Sequence, residues 1–473
     1  MIFQDRQETT VALSCAAALI LIWISLYNIR GPGLFYEPQP SLELQEGEDA
    51  VFLRHAMNVE FPSPIDYTPI RSVCTQDPSN FRPGLLFSCE EQHGGVGMVR
   101  NQILKCIRYA IHGGGALVIP SMAKRNPKDI SDIETSNEVP LEYLFDRETF
   151  ITHLTNACPG MRLYNHASDF PAYENRAPEP LQLVGDQFEL NHPRTGLSDP
   201  LSWRSSFDSW LVGQNVEIST AKPVHVQIGQ AYLEYPVHND SLSFSSEFGK
   251  LLSFRADTRA LAARVLLSLN QKFELGVDPE RPINEKSFFG AHLRLEKDAV
   301  EAWSPEEGWR FSRMEDQFAE VWREIRRREE AVKVVYVACG DQSIVDTFAE
   351  YISTKLEEEG KEEEMSISVV TKYTLLSGHD LARLNALTFD QQALVDFLIM
   401  FKAGFFVGVA HSSFPWTVAL RRHELSVFRE DEGRPDGGYA NLGSDILRDE
   451  LSVIVGMRRD YPYVDPFEWG LWP

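Results

Sequence analysis

An α/β fold is what this sequence predicts, with two Rossmann-like domains facing a cleft behind a single N-terminal transmembrane helix. Three observations carry that expectation. Strand-like apolar runs alternate with helical stretches along most of the chain. Glycine- and serine-rich turns sit where strands hand over to helices. One long apolar stretch stands alone near the N-terminus. Strands that alternate with helices pair in parallel, because each crossover helix covers a face of the sheet.

The stretch from Val11 to Tyr27 is almost wholly apolar and approaches the roughly 20 residues that span a bilayer. The apolar core of a cleaved signal peptide is shorter, about 7–15 residues, and Arg30-Gly31-Pro32-Gly33 is a poor cleavage site. Residues 11–29 are therefore expected to remain as an anchor, with 1–10 as a short cytosolic tail and the large domain in the lumen. Residues 30–60, rich in Pro, Gly and Glu, read as a stem. A first Rossmann-like domain is expected over 61–270, a second over 271–445, and a C-terminal tail packing back over 446–473.

In the first domain, Leu85-Leu86-Phe87 is a short strand, Met98–Ile111 a helix and Ala116–Pro120 the next strand, one crossover unit. Residues 125–220 are rich in Pro, Asn and Asp and read as loops and short helices. Leu251–Asn270 is a helix leading into the second half. There the alternation is regular: strand 288–295, helix 310–329, strand Val332–Ala338, helix 342–358, strand Ser366–Thr371, helix 389–402, strand Phe405–Val409 and helix Phe414–Arg422.

The chain has 473 residues, 43% of them hydrophobic, ample for a buried core. Its formal charge of −24 argues against a nucleic-acid partner, since neutralising phosphates needs basic patches. Beyond Cys15 in the apolar stretch there are five cysteines, allowing up to two disulfides and one spare thiol, with the pairing unreadable from spacing. Asn239-Asp240-Ser241 is a glycosylation sequon, compatible with a luminal face. No His/Cys metal spacing occurs, and no Asp-x-Asp follows an apolar strand, so no metal site is expected.

The densest chemistry lies in Phe288-Phe289-Gly290-Ala291-His292-Leu293-Arg294-Leu295-Glu296-Lys297-Asp298. Alternation puts His292, Arg294, Glu296 and Asp298 on one side, away from Leu293 and Leu295. Such groups are costly to bury without partners and suit the mouth of a strand, where open α/β sheets hold ligands. A second candidate is Phe405–Val409 running into His411-Ser412-Ser413-Phe414-Pro415. Free N–H groups at a helix start, beside two hydroxyls, make an anion site, although either serine serves equally as a plain helix cap. Arg294 would add a bidentate partner for a diphosphate. A third is the glycine loop Gly94-Gly95-Val96-Gly97 before a helix carrying Arg100 and Asn101. It lacks the third glycine of a dinucleotide fingerprint, and it permits close backbone approach to a ligand. His112-Gly113-Gly114-Gly115 has no matching nucleophile elbow and reads as a helix end.

Taken in order, these three stretches resemble the protein O-fucosyltransferase superfamily, including its plant branch. The resemblance rests on Gly94 to Gln102 with Ala116–Pro120, on Leu251-Leu252-Ser253-Phe254 with Ala291–Asp298, and on Val395-Asp396 with Phe406-Val407-Gly408, Ser412-Ser413-Phe414 and Arg421-Arg422. It implies a GT-B glycosyltransferase that uses GDP-fucose as donor, with inversion and no cofactor or essential metal, in the Golgi or endoplasmic reticulum. The acceptor would be a hydroxyl of a protein or glycan. Arg294 would steady charge on the departing GDP, with His292 beside the donor. His411, Ser412, Ser413 and Phe414 would hold the nucleotide, as would Gly94, Gly95, Gly97, Arg100 and Asn101. Asp396 would touch guanine or orient that loop. Family members usually carry Asn where Gly97 falls, and some a Glu base nearby. This chain has neither, which makes His93, Glu91 and Glu90 the local candidates for deprotonating the acceptor. Transfer of another GDP-sugar, or a non-catalytic glycan- or nucleotide-binding role, are the alternatives.

Overall fold

The computed structural model describes residues 47–58, 60–61, 63–75, 81–126, 137–184, 188, 200–229, 237, 240–302, 310–328, 332–361, 366–426, 445–456 and 471–473. The expected anchor at 11–29, most of the stem and Asn239 lie outside the described residues. Among those described, no helix is long and apolar enough to cross a membrane. The chain divides into Met1–Val51 and Phe52–Pro473. Of the first unit only residues 47–51 are described, the start of the helix Glu48–Asn58. All that follows concerns the second unit.

Two sheets organise it. The first holds β1 (Leu85–Cys89), β2 (Ala116–Val118), β5 (Leu163–Tyr164), β6 (Leu181–Leu183) and β7 (Val224–Ile228), in the order β5-β2-β1-β7-β6 with every pair parallel. A small antiparallel pair, β3 (Ser121–Ala123) and β4 (Glu138–Pro140), stands apart. The second sheet holds β8 (Phe289–His292), β9 (Val334–Ala338), β10 (Ser368–Val370), β11 (Phe405–Val409), β12 (Asp445–Arg448) and β13 (Ser452–Val455), in the order β10-β9-β8-β11-β13-β12. Only β12 runs antiparallel, at the edge.

The expected alternation of strands and helices in the second half is present, and its boundaries fall close to those read from sequence. Three differences stand out. The strand expected over 288–295 ends at His292, so Arg294 and Glu296 lie on the loop beyond it. Asp298 falls in the short helix Lys297–Ala302, and its side chain lies outside the described ones. Residues 445–455, mostly expected within a returning tail, are β12 and β13. The 125–220 stretch also carries three strands, β4 to β6, and the helices Arg147–Ala157 and Pro200–Gly213. These strands are only two or three residues long, too short to show an alternating pattern.

The central strands are buried on both faces, as parallel strands between helical layers must be. In β9, Val334, Tyr336 and Ala338 face one apolar core, while Val335 and Val337 face another with Phe289, Ala291 and Val407. The first core is continuous through both halves. It includes Phe87 under the first sheet, Phe254 in the connecting stretch, and Phe397 of the second half, whose ring meets Phe254 edge-on with centroids 5.5 Å apart. The helix α2 (Ala256–Phe273) then packs along α4 (Phe389–Lys402). The helices α1 (Val96–Gly113), α3 (Lys372–Leu375) and α5 (Ser413–His423) complete the set that surrounds the cleft.

Arg422 of α5 is a buried tie. Its guanidinium donates to the carbonyls of Met400 (3.2 Å), Phe401 (3.0 Å) and Ala403 (2.7 Å) at the end of α4. It also donates to Leu451 O (2.8 Å) and Ser452 Oγ (3.0 Å) at the start of β13. Carbonyls at a helix C-terminus lack intrahelical partners, and a basic side chain supplies them.

The two halves meet where α1 crosses α5 near both helix starts. A Cβ on Gly97 would lie 2.7 Å from Thr417 Oγ1 and 2.8 Å from the Ser413 carbonyl oxygen. Only glycine permits that approach. Gly97→Ala is expected to cost about 1–3 kcal/mol through overpacking, read as a lowered urea midpoint; an unchanged midpoint would mean the crossing is loose.

Candidate active site

The cleft opens at the C-terminal ends of four adjacent parallel strands, β10, β9, β8 and β11, where open α/β sheets hold ligands. It is an open cleft with about 740 Å³ of space between the protein atoms, part of it bulk solvent. Gly95, Val96 and Arg125 line it from the first half. From the second come His292, Arg294 and Glu296 after β8, Gly340 after β9, Lys372 and Tyr373 after β10, Phe389, Asp390, Gln392 and Asp396 on α4, and Ser412 to Phe414 after β11.

Arg294 is held on every side. Its backbone N–H donates to Gln317 Oε1 and its carbonyl accepts from Gln317 Nε2, both at 3.0 Å. The buried amide of Gln317 thus continues the pairing that β8 gave up at His292. The guanidinium meets Glu296 at 2.5 Å, and the other oxygen of Glu296 accepts from the Gly340 N–H at 2.8 Å. Any Cβ on residue 340 would fall 2.8 Å from that same carboxylate oxygen, so the turn after β9 must be glycine for Glu296 to seat. Burial opposes ionisation of Glu296, but the Arg294 charge, the His292 ring and the hydrogen bonds to the carboxylate together outweigh it and hold the carboxyl below its ordinary pKa.

His292 is stacked on Phe414, with ring centroids 4.8 Å apart and planes 14° from parallel. Burial, with a smaller push from Arg294 against the pull of Glu296, brings its pKa down to about 4. The imidazole is neutral at ordinary pH, and its Nδ1 has no hydrogen-bond partner among the described residues.

Ser412 caps α5: its Oγ accepts from the Phe414 N–H at 3.3 Å. Trp416 Nε1 donates to the Ala410 carbonyl at 2.8 Å and pins the turn between β11 and the helix. The start of α1 has no such side chain, because its N-cap is Gly95. Two helix N-termini therefore face one cleft. Each carries a partial positive charge and N–H groups without helical partners.

Deeper in the wall, Lys372 and Asp396 form a buried pair at 2.5 Å, and Tyr336 Oη donates to Asp396 at 2.7 Å. Burial alone would lower the Lys372 pKa; the carboxylate beside it raises it instead, and the amine stays charged. The Cys339 thiol nearby is pushed up by burial and stays protonated. Two disulfides, Cys74–Cys158 and Cys89–Cys106, settle the pairing that spacing left open.

Of the residues read from sequence as a site, the structure brings Gly95, His292, Arg294, Asp396, Ser412, Ser413 and Phe414 to this cleft. It does not bring Gly94, Gly97, Arg100, Asn101, His411, His93 or Glu91 there. Gly97 serves the helix crossing. Arg100 is fully buried and donates to the carbonyls of Gly249 (2.7 Å), Trp472 (2.8 Å) and Pro473 (2.8 Å). Asn101 accepts from the Trp472 N–H at 2.9 Å. Both fasten the C-terminal residues. His411 is buried behind the α5 turn, its pKa lowered to about 3 by desolvation. His93 uses its backbone N–H to reach Gln102 Oε1 at 3.2 Å. Sequence reading passed over Arg125, Lys372, Tyr373, Asp390 and Gln392. Lys372 and Asp390 each sit within two residues of an expected element boundary, which was the available signal.

A family model for GDP-fucose protein O-fucosyltransferase matches residues 85–425. This chain belongs to that family. No curated protein matches the chain in sequence. Solved structures similar to it include POFUT1 in complex with GDP-fucose, at 13% identity over 80% of this chain and 98% of that one, with a TM-score of 0.42. A mutant of Arabidopsis thaliana FUT1 in complex with GDP is 14% identical, covering 79% and 76%, with a TM-score of 0.36. The fucosyltransferase NodZ from Bradyrhizobium is 15% identical, covering 72% and 92%, with 0.33.

The Lys372–Asp396 pair gives a direct test of what Asp396 does. Lys372→Met strands a buried carboxylate and is expected to cost about 3–5 kcal/mol of stability, whereas a Lys372→Met, Asp396→Leu double variant recovers most of it. Urea unfolding of the three proteins decides: if the single variant is as stable as the parent, the pair is not structural.

Proposed function

We propose that this chain transfers fucose from GDP-fucose to a hydroxyl of a protein or glycan acceptor, with inversion, on a GT-B scaffold and without a bound metal. The observation that carries the reading is the convergence of Arg294 and two helix N-termini on one cleft at the strand ends. That is the positive field a leaving diphosphate requires. Family membership over residues 85–425 supports the donor.

As the C1–O bond of the donor breaks, negative charge grows on the β-phosphate oxygens. Arg294, pre-oriented by Glu296 and Gln317, and the N–H groups at the start of α5 meet that charge without reorganising. Fixed dipoles aimed at charge that develops only in the transition state lower the barrier more than they tighten ground-state binding. The neutral ring of His292 adds a polar contact beside the diphosphate without repelling Arg294. The apolar segment at 11–29 and the two disulfides support a type II protein anchored in the oxidising lumen of the Golgi or endoplasmic reticulum.

Calorimetry of the chain in detergent, without metal, tests the donor: GDP-fucose should bind and UDP-sugars should not. Arg294→Ala should weaken GDP binding about 10- to 100-fold, the loss of one charged hydrogen-bonding group. It should slow transfer at least about 10³-fold; because it also strands the Glu296 carboxylate it lowers the thermal midpoint, and an Arg294→Ala, Glu296→Gln double variant should restore the midpoint without restoring transfer. Preferred binding of GDP-mannose would keep the scaffold and change the sugar. Absence of nucleotide binding altogether would support a non-catalytic role.

A further inference from the structure

Among the described residues three carboxylates line the cleft, and they differ in what neutralises them. Glu296 is bonded to Arg294 at 2.5 Å and to the Gly340 N–H. Asp396 is bonded to Lys372 at 2.5 Å and to Tyr336 Oη. In each, one oxygen meets a cation and the other accepts from a second donor. Asp390 is different. It sits in the first turn of α4, 4% exposed, on the side of the cleft that faces the first half. Its nearest cation, Arg125 Nη1, is 3.9 Å away, beyond hydrogen-bond reach, and the Arg125 backbone N–H reaches its other oxygen at 3.3 Å. The guanidinium of Arg125 lies over the Phe389 ring instead, 5.9 Å from its centroid.

The neighbours of Asp390 suit a group that takes up a proton. Tyr143 Oη, bonded to Thr388 Oγ1 at 2.6 Å, lies beside it. Burial holds the Asp390 pKa above the ordinary aspartate value, against the lowering pull of Arg125, Tyr143 and Lys124. Burial raises the pKa of Asp396 as well, so geometry separates the two: a loosely paired carboxylate is a better base than one locked in a short ion pair. The other candidates are poorly placed. His93 and Glu91 lie outside the cleft lining, and the basicity of His292 is reduced by its burial between Arg294 and Phe414.

Resting on the fucosyltransferase reading, we propose that Asp390 is the general base that deprotonates the acceptor hydroxyl. The acceptor O–H proton passes to the Asp390 carboxylate as the acceptor oxygen bonds to C1 of fucose. The C1–O bond to the β-phosphate breaks, and its electron pair leaves with GDP. Arg125, from the first half, positions Asp390 through its backbone N–H, which couples the acceptor side of the cleft to the donor side.

The test uses the full chain and follows GDP release from GDP-fucose with water and with sodium azide as acceptors. Asp390→Ala should lower turnover with water about 10²- to 10⁴-fold, the range for loss of a general base, while GDP affinity by calorimetry stays within about threefold. Azide carries no proton to remove, so it should restore turnover in Asp390→Ala, giving fucosyl azide of inverted configuration, and should do little for the parent chain. In the parent, kcat/KM should fall as pH drops through the raised Asp390 pKa, because the protonated acid cannot accept a proton; that acid limb should vanish in Asp390→Asn. Loss of turnover without azide rescue, or an unchanged acid limb, overturns the assignment. If the parent binds GDP yet turns over no GDP-fucose with either acceptor, the transferase reading fails and the assignment with it. Normal turnover in Asp390→Ala leaves the transferase reading intact and removes only the base.

Discussion

The approach of α1 to α5 at Gly97 sets the chemistry of the cleft. Helix starts are weak positive poles, and each alone is worth little in water. Their effect grows when both face one low-dielectric pocket. That arrangement requires backbone-to-backbone proximity between two sheets' worth of structure, and a side chain at residue 97 would hold them apart. Gly97 therefore serves as a packing contact between the two helix ends.

The cleft also balances its own charge. Arg294 has Glu296, Lys372 has Asp396, and Arg125 has Asp390. A cleft with three uncompensated cations would be expensive to maintain when empty. Pairing lowers that cost while keeping the cations oriented. The three pairs are graded in tightness. Two lie at 2.5 Å and one at 3.9 Å, and the loosest is the one that bridges the halves. This grading separates groups that hold position from a group with freedom to exchange a proton.

Much of the second half was legible because its strands are long apolar runs such as Val334–Ala338, buried on both faces, with clear turn residues at their ends. The pattern names the element and also names its mouth, which is how Arg294, His292 and Ser412–Phe414 could be found. The first half was less legible. Strands such as Leu163–Tyr164 and Leu181–Leu183 are two or three residues long and depend on neighbouring strands for their existence. Arg100 and Asn101 look like ligand groups by chemistry. Their partners, Gly249 and Trp472 to Pro473, lie about 150 to 370 residues away along the chain, and no local pattern could reveal them. Lys372 and Asp390 are similar cases, since their meaning comes from which strand ends are adjacent in space.

Arg422 has a kinetic consequence. One planar cation holds the end of α4, the turn into β11 and the start of β13 through five acceptors. None of those segments can open without leaving carbonyl oxygens and a buried guanidinium unsolvated. They must therefore open together, as one cooperative unit of local unfolding. In hydrogen exchange, the amides of α4, β11 and β13 should report one common opening free energy, so that the floor of the cleft keeps its shape.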